Sequence, residues 1–256
     1  MTAPEAVLCI PGTWTNLSDL GDRIMRDSGG YLYAGRILMH MDTKAAVELQ
    51  FEAADPRVVT AFGYAGRHWE GTADMARIAD HTAVVYLIGK GGAEADAETL
   101  MLAADGLLKA GGLGVKVESS GIAHRPAAWH GFVENRHLGG AHNAFVLYLT
   151  GTHVTSCGMH HFGLPEAVVD PADADDPAEL LRVFTRYLLV ERSVISAGQT
   201  FSTAEHAPAY RIVEGASVDY GSDSLFNNPY GMWRLEPVAA GGGKPKKRAS
   251  WRELFH

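Results

Sequence analysis

The stretch YLYAGRILMHMDTKAAVELQFE, residues 31–52, decides how this chain folds. Its second half alternates Val47, Leu49 and Phe51 with Glu48, Gln50 and Glu52, the period-two pattern of a strand with one buried face. Its first half, YLYAGRILMHM, reads as the preceding strand, and residues 42–44 as the turn between them. Strands joined by so short a turn run antiparallel, because a parallel pair needs a crossover of about a dozen residues or more. That argues against one continuous parallel sheet and for an α+β chain.

Upstream, the apolar run at 6–10 reads as a short buried strand, and PGTW leads into a helix capped by Asn16 and stopped by Gly29 and Gly30. Downstream, Asp55 and Pro56 open a helix through Phe62, and a second helical stretch through Met75 and Ile78 leads to the strand AVVYLIG at 83–89. A linking helix at 98–110 carries Leu100, Ala104, Leu107 and Leu108 on one face and ends in two glycines. The order then starts again: a strand at 113–119, the helix RPAAWHGFVEN, paired strands NAFVLYLTG and HVTSCGM, and the helix beginning at Asp176, Pro177 and Glu179. The segment VISAGQTFS closes it, and residues 210–234 supply extra edge strands.

Strand, helix, strand, strand, helix, strand is the split βαβ, or ferredoxin-like, order. The expected architecture is therefore two tandem ferredoxin-like (βαββαβ) units with antiparallel sheets. The units are placed at 1–90 and 112–237, joined by a linking helix at 91–111 and followed by a flexible basic tail at 238–256. Sheets packed face to face would enclose a polar cavity between the units.

The chain has 256 residues, 46% hydrophobic and 20% charged, which excludes disordered and fibrous classes. A net charge of -8 opposes a nucleic-acid backbone, and the one basic run, KPKKR at 244–248, reads as a solvated extension. No apolar run is long enough for a bilayer, and no basic region precedes the short N-terminal apolar stretch, so a cytoplasmic protein is expected. Both cysteines, Cys9 and Cys157, fall in apolar strands and are expected free and buried.

The densest cluster of reactive side chains is THVTSCGMHHFGLPEAVVD, residues 152–170. Alternation puts His153, Cys157 and His161 on one face and His160 on the other, but each i to i+4 step along a strand is about 13 Å, too far for one ion to bridge. Only a break at Gly158 brings Cys157 near His160 or His161, and no metal is expected. In LGVKVESSGIAH, Lys116 and Glu118 share the face opposite Val115 and Val117, with His124 just beyond. Lys116, Glu118, His124 and His160 are thus the candidate catalytic residues, and Trp14, Glu118, His161 and Glu166 the candidate ligand-binding ones. LIGKGGAEADAETL lacks the Gly-Lys-Ser/Thr order of a phosphate loop, and its crowded acids repel phosphate. The plentiful histidines carry no haem attachment or axial-ligand motif, so no cofactor is expected.

Together IPGTW at 10–14, GGLGVKVESSGIAH at 111–124 and SCGMHHFGLPEAVV at 156–169 resemble an uncharacterised bacterial domain-of-unknown-function family, over nearly the whole chain to about Pro237. That family has no established reaction, so no catalytic residue carries over. Some of its relatives sit in gene neighbourhoods of bacterial competition and secretion systems, which implies a partner-binding or immunity role. A non-catalytic protein that binds a protein partner, with residues 210–234 offering an edge for strand addition, is the function expected; an enzyme or small-ligand protein using the polar cavity is the alternative. Neither nucleic acid nor membrane is an expected partner.

Overall fold

A computed structural model describes residues 3–134, 138–192 and 194–238. The expected 238–256 tail lies, from residue 239 on, outside the described residues. The chain is mixed α+β, with two sheets in two compact units. The first unit runs to Val146 and includes His161–Gly163; the second is Leu147–His160 and the chain from Leu164.

The first unit holds β1 (Glu5–Gly12), β2 (Tyr31–Ala34), β3 (Ile37–His40), β4 (Ala46–Ala53), β5 (Ala83–Lys90), β6 (Val115–Val117) and β7 (Ile122–His124). They form one antiparallel sheet in the order β2-β3-β4-β5-β1-β6-β7. The stretch at 31–52 is antiparallel as expected, but it makes three strands, because Gly35 at φ +64° turns YLYA back on ILMH. The split βαβ order places the first strand between the third and the last, antiparallel to both. Here β5 takes the central place, beside β1 and β4 and antiparallel to both. Val84, Val85 and Leu87 are all fully buried, so β5 is apolar on both faces, which suits a strand covered on both sides.

Helices α1 (Leu17–Asp27), α2 (Arg57–Ala65), α3 (Ala73–Arg77), α4 (Glu94–Lys109), α5 (Pro126–Glu134) and α6 (Leu138–Phe145) belong to this unit. Val58 and Phe62 of α2, with Trp69 and Ile78, cover Cys9, Val84 and Ala123 on one sheet face. The opposite face meets α4, whose Leu100 lies against Gly89 so closely that a Cβ there would sit 3.1 Å from it. The expected linking helix is therefore a core helix of the first unit, with Ala97, Leu100, Ala104 and Leu107 buried. The unit boundary falls after Val146 rather than near residue 112, because β6 pairs with β1 and takes β7 with it. The repeated ferredoxin-like order accordingly does not form from 112 onward.

Trp14 is fully buried beyond β1, and its indole N–H donates to the Ala110 carbonyl at 2.7 Å, tying the end of α4 to the sheet. Trp14→Phe leaves that carbonyl without its partner. Urea denaturation should show a loss of about 1–3 kcal/mol, the scale for a buried acceptor left unmade; no measurable loss would mean water takes the indole's place.

The second unit contains β8 (Leu147–Thr150), β9 (Val154–Cys157), β10 (Glu166–Val169), α7 (Pro177–Glu191), β11 (Thr200–Ser202), β12 (Ala209–Glu214) and β13 (Met232–Pro237). Helix α7 starts as its sequence predicts: Asp176 accepts from the Glu179 N–H at 3.0 Å, with Pro177 in the first turn. Leu181, Phe184 and Leu188 form its buried stripe. The sheet order is β11-β12-β13-β10-β9-β8, with β13 parallel to β10 and the other pairs antiparallel. Residues 210–234 are thus not an edge: β12 and β13 are interior, and β11 and β8 are the edges. The loop at 215–231 carries the chain from β12 into the slot beside β10.

Candidate functional site

The site is built around Glu166, the first residue of β10. Strand β9 stops at Cys157 because Gly158 adopts φ +123°, and a single 3-10 turn, Met159–Phe162, follows. The break raised by the sequence is real, and it overturns the alternation of the histidines. The Gly158 and Met159 N–H groups each donate to Glu166 Oε1 at 2.9 Å. Asn228 Nδ2 donates to the same oxygen at 3.1 Å and to the Leu164 carbonyl at 2.9 Å, while His160 Nδ1 lies 3.4 Å from Oε1. Oε2 accepts from Ser156 Oγ at 2.6 Å, and that hydroxyl accepts from the Ala167 N–H at 2.8 Å.

Glu166 is 4% exposed. Burial alone pushes its pKa up, but His160, Ser156 and the backbone donors outweigh it and hold the carboxyl below its ordinary range. The carboxylate is therefore ionised and strongly held, and it fixes residues 156–160 against β10.

Beside it is a cavity of about 10 Å³, room for roughly one water-sized group. Its lining includes Ser156, Cys157, Glu166, Tyr220, Phe226 and Asn228. The loop at 215–231 forms the outer wall and is ordered by its own bonds: the Tyr220 N–H donates to Asn227 Oδ1 at 3.1 Å, and the Tyr220 and Phe226 ring centroids are 5.6 Å apart. Val218 and Tyr220 are 44% and 42% exposed. The Tyr220 phenol is held above its ordinary pKa by desolvation, then by Cys157 and Glu166, which line the same cavity.

Cys157 is 2% exposed and its thiol is pushed far up by burial and by Glu166. Cys9 is equally buried, and desolvation, then Glu118, raises its thiol to about 12. Neither thiol generates a thiolate near neutral pH. A chromogenic thiol reagent should therefore label native protein at least about 100-fold more slowly than urea-unfolded protein; fast native labelling would show that the strands open.

The remaining sequence candidates do not converge. Lys116 lies opposite Cys9 across β1 and forms an ion pair with Glu118, the two side chains 13% and 28% exposed, near Tyr86. His124 pairs with Val115 and so faces the other side of the sheet from Lys116. It is buried against Trp129 and Phe132, its Nε2–H donates to the Ala144 carbonyl at 3.0 Å, and burial drives its pKa down to about 4. His161 is buried with Nε2 3.2 Å from Ser119 Oγ and its ring against Phe145. Adjacent in sequence, His160 and His161 belong to different compact units. Trp14 acts as an interior tie between β1 and the end of α4. Among the described residues no group of three His, Cys, Asp or Glu is placed to hold a metal ion.

Sequence reasoning gave Ser156 no role although it opens the SCGMHHFGLPEAVV motif, and it missed Asn228 and Tyr220, which no motif marks. It also missed Asp105, a buried acid in an apolar helical stripe, which bonds His130 Nδ1 through one oxygen and Lys109 at 2.7 Å through the other. That stripe was itself the signal, since an acid at a buried position needs partners.

The fold and site define a two-unit α+β protein with an ionised carboxylate beside a small cavity under a long loop. Comparison with protein-family models, with curated proteins and with solved structures found no match. No helix among the described residues is long and apolar enough to cross a membrane.

Proposed function

We propose that this chain is a cytoplasmic, non-catalytic protein that binds a protein partner, through the 215–231 loop and the cavity beneath it. The observation that carries this reading is the contrast between occupied chemistry and presented surface. Glu166 is tied by Ser156, Gly158, Met159 and Asn228, Lys116 is paired with Glu118, and both thiols are buried and protonated. Meanwhile Val218 and Tyr220 stand exposed on a loop longer than connections usually are unless they serve binding. The family resemblance points the same way, to a role in bacterial competition or secretion. His124 lies on the opposite sheet face from Lys116 and Glu118, which favours binding over an enzyme built on those three.

The test is site-specific photo-crosslinking in native cells. A photoreactive residue in place of Tyr220 should capture one defined protein, and the same residue in place of Met25, 68% exposed on α1, should not. Equal patterns from both positions, or no adduct at Tyr220, would overturn the reading.

A further inference from the structure

We propose that the cavity at Glu166 receives the primary ammonium group of a lysine side chain of the partner. This rests on the binding function above and adds the chemistry of what is bound. Four polar groups lie around Oε1, but among the described residues Oε2 accepts from Ser156 Oγ alone, so it keeps acceptor capacity for one more donor. That oxygen belongs to a residue lining a cavity of about 10 Å³, a volume that suits a single ammonium head.

The surroundings favour a cation. Among the described residues the Ser156 and Asn228 oxygens each accept one backbone N–H, from Ala167 and Tyr230, and so keep one lone pair apiece, while a buried carboxylate contributes a full negative charge to the lining. Tyr220 and Phe226 line the wall, and a cation approaching an aromatic face is attracted by its quadrupole. The lysine stem would lie along the exposed apolar side of the loop at Val218, as long cationic side chains do. The chain's net charge of -8 draws a basic partner toward it. An arginine guanidinium, a planar fork of several atoms, exceeds the cavity.

The probe is Nα-acetyl-lysine methylamide, added to the whole protein while the backbone amide signals of Gly158 and Met159 are followed by NMR. Both amides bond Glu166, so they report its occupation. Saturable shifts at these two amides are expected. The Nζ-acetyl and Nζ-trimethyl forms of the probe should bind at least about tenfold more weakly, the first lacking charge and the second exceeding the space. Glu166→Gln is a poor test by itself because the turn depends on that side chain. Tyr220→Leu, at an exposed loop position, should weaken the probe by about two- to fivefold, the scale of one exposed cation–π contact. Equal shifts from all three probes, or no shift at Gly158 and Met159, would overturn the proposal. Acetylating the captured partner's lysines should abolish the Tyr220 adduct. If the adduct persists, the lysine proposal fails while partner binding stands; if the probe binds but no adduct ever forms, the ligand is a free amine and both proposals fail.

Discussion

Glu166→Ala should lower the stability of the second unit by about 4 kcal/mol, in the range for breaking a buried charged network. The side chain removed is the acceptor for Ser156 Oγ, two backbone N–H groups and Asn228 at once. Each donor left buried costs about 1–3 kcal/mol, less whatever water recovers by entering the space. Glu166→Gln keeps the shape and one acceptor oxygen for the Gly158, Met159 and Asn228 donors but removes the charge and turns the other position into a donor, so the Ser156 hydroxyl loses its acceptor; it should cost about half as much. The appropriate measurement is amide hydrogen exchange in β9 and β10 across a urea series, since it reads this unit by itself. A loss below about 1 kcal/mol for the alanine variant would show that the turn at Gly158 holds without its anion. Because the folded pKa of Glu166 is depressed, its contribution is fully present above the ordinary value of 4.5 and is lost as pH falls through the folded value.

Acidification should weaken the first unit in a different and higher window. His124 is buried as the neutral imidazole, with its pKa lowered from 6.5 to about 4, chiefly by desolvation, against the opposing hydrogen bond to Ala144 and with a smaller lowering from His68. The unfolded chain binds the proton more readily than the folded one. Stability is therefore unaffected above about pH 7, declines as pH falls below 6.5, and stops declining on this account near pH 4. Each tenfold difference in proton affinity is worth about 1.4 kcal/mol, so the whole window amounts to about 3 kcal/mol. His124→Phe, which keeps an aromatic ring against Trp129 and Phe132, should be less stable at pH 7 through loss of the Ala144 bond, yet flatter between pH 6.5 and 4. Parallel pH profiles for the two proteins, from urea unfolding at fixed ionic strength, would mean His124 titrates normally and is open to water.

The residues at 31–52 made the antiparallel pairing legible because alternation and a tight turn are local properties. The same holds for the start of α7, where Asp176, Pro177 and Glu179 act within one turn, and for α1, where Asn16 accepts from the Ser18 and Asp19 N–H groups. Helix α4 was misjudged as a connector because its leucine stripe was visible while the burial of Ala97, Ala103 and Gly106 around the rest of its surface was not. The pairing of Lys116 with Glu118 was legible from spacing; the separation of both from His124 required the register of β6 against β7.

What the sequence determined by itself was therefore written within one turn or one strand: the caps of α1 and α7, the faces of β4 and β6, the hairpin, and the two cysteines placed in strands that bury them. Only the tertiary structure decided which strand sits at the centre of each sheet, because central position depends on burying both faces against elements far away in the chain. It alone decided that Glu166 collects donors from Ser156, Gly158, Met159 and Asn228. A buried charge is tolerated only where several partners meet it. Asn228 comes from 62 residues away, a convergence that local periodicity does not encode.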